Sequence, residues 1–78
     1  MNGLTEELRY VIRKVFMMND ANAKSLVRLA IDESKKHNHD YATELTAKAQ
    51  GMYYANITMQ VELEKAGLID ILKGVHDA

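Results

Sequence analysis

Cysteine, proline and tryptophan are all absent from this chain of 78 residues. Without cysteine, the chain can form no disulfide, no thiolate zinc site and no thiol-based catalytic centre. Without proline, and with only four scattered glycines, it has no Pro/Gly-rich linker and no turn-rich β pattern. We therefore expect one helical domain that covers residues 1–78.

An excess of one charge sign and long apolar runs are also missing. Ten Lys and Arg residues balance eleven Asp and Glu residues, so the formal net charge is −1 and the molecule has no strong overall field for nucleic acid or anionic lipid. No apolar run approaches the roughly 18 residues that a membrane helix needs, and the first residues do not resemble a signal peptide. Together with the absence of cysteine, this predicts a soluble, cytoplasmic protein.

Apolar residues recur three and four positions apart along most of the chain, which is the spacing of amphipathic helices. The pattern predicts an all-α antiparallel bundle of three main helices plus a short C-terminal helix, at about residues 4–18, 21–37, 40–66 and 68–75. Asn19 and Asp20 mark the first break, because both residue types cap helices. Asn38 is expected to end the second helix in a left-handed conformation, and Gly67 to end the third.

The predicted third helix has little polar surface for a helix at the outside of a small protein. Between Leu45 and Val61 its only charged residue is Lys48. A heptad template gives one apolar stripe with two sets of core positions, namely Ala42, Ala49, Asn56 and Leu63, and Leu45, Met52, Met59 and Ala66. A second apolar set lies roughly across the helix and consists of Tyr54, Ile57 and Val61, with Tyr53 between.

Two apolar faces on one helix need two sets of partners, and the other helices of the chain can supply one set. A small domain without disulfides is marginally stable, and oligomerisation is a common remedy. We therefore expect a homo-oligomer, most simply a two-fold dimer, with an interface formed by Met52, Tyr53, Tyr54, Asn56, Ile57, Met59 and Val61. Asn56 would pair with its symmetry mate, or bond to a backbone group or water within one subunit, or be exposed if the heptad phase is wrong. The alternative is a monomer in which the other helices wrap the third completely.

Motifs for catalysis or cofactor binding are lacking. The sequence has no nucleophile elbow, no Gly-rich phosphate loop and no Glu-x-x-His pair of the kind that builds di-iron bundles. His37, His39 and Asp40 are metal-ligand types, but no second cluster completes a site, so a solvated turn is the favoured interpretation. We predict a non-enzymatic adaptor, inhibitor or regulatory protein without cofactor or metal, which binds another protein of unknown identity.

Binding of nucleic acid or of a small anionic ligand is the alternative function. Six basic residues of the first two predicted helices could contact phosphates, namely Arg9, Arg13, Lys24, Arg28, Lys35 and Lys36. A recognition helix should also expose several basic and amide side chains, and the predicted third helix shows almost none. The sequence therefore favours protein interaction.

Overall fold

The computed structural model describes residues 5–75. Two long helices, α1 (Glu6–Lys35) and α2 (His39–Lys65), form an antiparallel hairpin, and one turn of 3-10 helix (Ile69–Leu72) follows them. The molecule measures 54 × 21 × 18 Å along its principal axes, so it is a rod set by the length of its helices. Neither helix contains a stretch apolar enough to cross a membrane within residues 5–75.

The prediction of three main helices was wrong, because α1 continues without a break through Asn19 and Asp20. The Asn19 side chain points toward α2, where its Nδ2 donates a hydrogen bond to Oδ1 of Asn56 at 3.1 Å. Asp20 instead lies 2.9 Å from the Nζ atom of Lys24, one turn further along the same helix. Both polar side chains are satisfied without ending the helix, so they do not act as caps.

Thr5 caps α1, since the amide of Leu8 donates to its Oγ1 atom at 3.2 Å. The expected start of the helix at Leu4 lies outside the described residues. At the other end of α1 the left-handed residue is His37, with φ of 66°, and not Asn38. Asn38 comes one position later, where its amide donates to the carbonyl oxygen of Glu33 at 2.9 Å and closes the turn.

The contact between the helices follows one stripe on each of them. The buried residues are Phe16, Ala23 and Ala30 on α1 and Ala42, Leu45, Ala49, Asn56 and Leu63 on α2. All five on α2 belong to the predicted heptad stripe, which confirms the phase assigned to that helix. Alanines dominate this contact toward the loop, where the helices can approach closely, and larger side chains occupy the open end.

The segment after α2 folds back against the open end of the hairpin. Gly67 ends α2 as predicted, with φ of 74°, and the amide of Leu68 donates to the carbonyl oxygen of Leu63 at 2.8 Å. The predicted helix over residues 68–75 is reduced to the 3-10 turn Ile69–Leu72. Its apolar side chains still complete a core, which contains Phe16, Leu63, Ile71, Leu72 and Val75.

Candidate functional site on the outer face of α2

One side of α2 points away from α1 and is not covered by another element of residues 5–75. We call this surface the outer face of α2, and define it by Gly51, Tyr54, Ile57, Thr58 and Val61, all of which are exposed. The exposed fraction of its large residues is 69% for Tyr54, 55% for Ile57 and 42% for Val61. They follow one another at intervals of three and four residues, so they form a continuous row over about two helical turns.

Charge is absent from the whole circumference of α2 along this row. From Ala49 to Val61 the sequence contains no Asp, Glu, Lys or Arg. Only the inward side of that segment, around the buried residues Ala49 and Asn56, packs against α1. A helix with one covered side normally places charges on the other, so an uncharged exposed side is unusual.

The seven residues predicted to form an interface do not share one surface. Tyr54, Ile57 and Val61 point outward, whereas Met52, Tyr53 and Met59 are half-buried along the sides of the contact with α1. Met59 packs against the core at the open end of the hairpin. The predicted interface set therefore divides into residues that point outward and residues that pack against α1 within one chain.

Asn56 is the clearest departure from the predicted interface. It is only 5% exposed. Its Nδ2 donates to the carbonyl oxygen of Phe16 at 2.9 Å, and its Oδ1 accepts the bond from Asn19. The residue thus links α2 to α1 within one chain, which is one of the alternatives that the sequence left open, and it is not presented to a symmetry mate.

A second exposed apolar row lies on α1 and was missed by the sequence reasoning. Leu8, Val11, Val15 and Met18 expose between 42% and 52% of their surface. They are spaced as a helical stripe, and from sequence alone they are indistinguishable from a core stripe. The residues of α1 that do face α2 form a second stripe with the same spacing, namely Ile12, Phe16, Asn19 and Ala23. This stripe can be recognised as the core stripe only if Asn19 is accepted as a core residue.

The six basic residues of the alternative function are spread over separate surroundings. Arg13 donates through Nη1 to the carbonyl oxygens of Ile71 and Lys73, at 2.7 and 2.9 Å. Arg9 forms an ion pair with Asp70 at 3.1 Å. Both arginines therefore hold the segment after α2 and are not presented to solvent as a pair.

The other four basic residues lie toward the loop, and two of them are paired with acids. The hydrogen bond and the negative charge of Asp20 raise the pKa of Lys24 above its ordinary value. Lys36 lies 3.9 Å from a carboxylate oxygen of Glu33. Arg28 and Lys35 are exposed on α1. No surface in residues 5–75 brings the six basic residues together.

An open groove of about 520 Å³ runs between the helices near the loop, and its walls are mostly apolar or hydroxyl-bearing. Val27, Ile31 and Thr46 contribute to it, and His39 is the imidazole at its rim. The ring centroids of His37 and His39 lie 6.0 Å apart. Within the described part of the chain, no group of three His, Cys, Asp or Glu side chains is arranged to hold a metal ion.

Comparison with known proteins found no match, whether among protein-family models, curated proteins or solved structures. The exposed apolar row on α1 has Arg9, Arg13 and Lys14 beside it, whereas the outer face of α2 lies in a segment without charge, Ala49–Val61.

Proposed function

We propose that this chain is a non-enzymatic protein-interaction module that self-associates through the outer face of α2. The observation that carries the proposal is the uncharged segment Ala49–Val61, of which α1 covers only one side. Three large side chains stand exposed there, and covering apolar surface is favourable by roughly 25 cal/mol per Å². A contiguous exposed apolar row of this kind is typical of a surface that binds another protein.

The shape and chemistry of the outer face suit another helix as the partner. The surface of a single helix is convex, so it offers no enclosed pocket for a small molecule. Tyr54 supplies an aromatic side chain with a polar tip, the type that is enriched in the centre of protein interfaces. A partner helix can lay its own apolar stripe along this row, in the manner of helices that bind in a groove or pair with one another.

Binding of nucleic acid or of an anion has less support. Phosphate recognition needs clustered cations, and the affinity it gives comes from neutralising several phosphates at once. Arg9 and Arg13 are engaged with the segment after α2, and Lys24 is paired with Asp20. The outer face of α2 itself carries no cation. Protein interaction is therefore the function we propose.

The test compares two tyrosines of similar exposure on opposite helices. Tyr54→Glu places a charge in the middle of the outer face and should weaken self-association, or capture of a partner, at least ten-fold. Tyr10 is 62% exposed on α1, so Tyr10→Glu is a matched control that should leave association unchanged. Light scattering gives the mass and circular dichroism the helix content, which both variants should retain.

A wild-type chain that remains a monomer at every concentration would contradict the proposal. Equal association by the two glutamate variants would also contradict it. Met59→Glu is a poor test, because Met59 packs against the core and its substitution would disturb the fold.

A further inference from the structure

We infer that the outer face of α2 binds the same face of a second copy of this chain, with the two α2 helices antiparallel about a two-fold axis beside Ala55. The inference rests on the proposed function, since it names the partner and the geometry of that same surface. It is carried by the positions of the charged residues that border the uncharged segment.

Two rows of exposed residues run along α2 beside the large apolar side chains. One row contains Lys48, Ala55 and Glu62, and the other contains Glu44, Gly51, Thr58 and Lys65; within each row the spacing is seven residues. Residues seven apart lie close to two turns apart on the same side of a helix. Each row therefore has small residues in its middle and opposite charges at its two ends.

This arrangement is complementary to itself only when the two helices run in opposite directions. About an axis beside Ala55, Lys48 of one copy comes opposite Glu62 of the second copy, because each lies seven residues from the axis. Glu44 lies eleven residues from the axis and Lys65 lies ten residues from it, so Glu44 of one copy also comes opposite Lys65 of the second copy. The two-fold axis generates each pair twice, and all four contacts join opposite charges.

A parallel pair of α2 helices would bring like charges together. Lys48 would lie opposite Lys48, and Glu62 opposite Glu62, which is unfavourable and selects against that orientation. Within one chain, Lys65 lies 3.6 Å from Glu62, but both side chains are about two-thirds exposed. An exposed ion pair of this type contributes little to the stability of the monomer, so both charged groups remain available to a second copy.

The residues between the charges allow the helices to approach closely. Within residues 5–75, and apart from its chain neighbours and the adjacent backbone of α2, no atom lies within 4 Å of the position that a Cβ atom would take on Gly51, so this part of the helix is open. Tyr54 and Val61 stand on the row beside Gly51 and Thr58. When the helices are antiparallel, these large side chains of one copy can pack over the small residues of the other.

Reversal of the charges at residues 48 and 62 tests the orientation. Lys48→Glu alone, or Glu62→Lys alone, replaces two attractive pairs by two repulsive ones and should weaken the dimer about ten-fold. The double variant restores both pairs with reversed sign, and its dimerisation should return close to that of the wild type. Lys35→Glu makes the same charge change on α1 and should have no effect. Sedimentation equilibrium gives the dimer dissociation constants, and added salt should reduce the differences.

Engineered cysteines provide a second, independent readout, because the chain has no cysteine of its own. Ala55→Cys should be cross-linked to itself by a short bismaleimide, since the two copies of residue 55 lie beside the axis. Lys65→Cys should not react with itself, but should be cross-linked to Glu44→Cys when the two variants are mixed. Ala21→Cys, exposed on α1, is the negative control.

The outcomes separate the orientation from the proposed function. Suppose that Tyr54→Glu disrupts the dimer, that neither single charge reversal affects it, and that Lys65→Cys is cross-linked to itself. These results would overturn the antiparallel pairing, but they would still support the proposed interaction module. A wild-type chain that never self-associates would overturn the pairing and the proposed function together.

Discussion

At the scale of single residues, one buried amide determines how the two helices align. Asn56 donates to a backbone carbonyl oxygen of α1 and accepts from Asn19, so its donor and acceptor groups are both used. A polar pair inside an otherwise apolar contact fixes the register, because sliding one helix would leave the amides without partners.

Asn56→Asp tests this role. The substitution keeps the size of the side chain but removes the N–H group that donates to Phe16, and it places a carboxylate against a carbonyl oxygen. We expect a loss of about 1–3 kcal/mol in the free energy of unfolding at neutral pH. The loss should shrink in acid, where the carboxyl group binds a proton and can donate again.

The measurement is urea denaturation followed by circular dichroism. Asn22→Asp is the control, since Asn22 is exposed on α1 and its substitution should change stability by no more than about 0.5 kcal/mol. Equal stability of the two variants would show that the amide of Asn56 does not hold the register.

At the scale of helices and segments, the sequence predicted α2 well and α1 poorly. The core positions of α2 recur at heptad spacing and are mostly apolar, so the pattern alone gave the correct buried face. In α1 the same spacing passes through Asn19, which the pattern reads as a break. Its partner Asn56 is 37 residues away, and no local rule can show that two distant polar side chains satisfy each other.

The candidate site was predictable in part for the same reason. The outward row Tyr54, Ile57 and Val61 could be read from the sequence, because it lies opposite a stripe of known phase. The apolar row on α1 could not, because the exposed residues Leu8, Val11 and Val15 recur at the same helical spacing as the inward residues Ile12 and Phe16. The sequence pattern joins both sets into one wide apolar stripe and does not show which part of it is covered.

The segment after α2 depends on Arg13, whose two hydrogen bonds hold it against the hairpin. Arg13→Ala removes both bonds to the carbonyl oxygens of Ile71 and Lys73, and should lower the free energy of unfolding by about 1–3 kcal/mol. Amide hydrogen exchange measured by mass spectrometry should become faster in residues 69–75 than in α2.

Arg28→Ala is the matched control for this prediction. Arg28 lies on the same helix, and within residues 5–75 its side chain has a single, long hydrogen bond, 3.4 Å, to Ser25. Its removal should leave exchange in the segment unchanged. If the two alanine variants exchange alike, the segment is held by its apolar contacts with Phe16 and Leu63 and does not need the arginine.

At the scale of the whole molecule, the decisive difference from the predicted bundle is the number of helices. Three main helices could have covered α2 on more than one side, whereas in the hairpin α1 covers a single side. The uncharged segment of α2 then has a large exposed area for so small a chain. A two-helix hairpin buries little surface by itself, so association through that area would add stability as well as function.

Sedimentation of the wild-type chain over a series of dilutions tests the central claim most directly. If the outer face of α2 is an interface between copies, the mass should approach that of a dimer at high concentration and fall toward that of one chain on dilution, with a parallel fall in thermal stability. A single chain at every concentration, equally resistant to heat at each, would contradict the account.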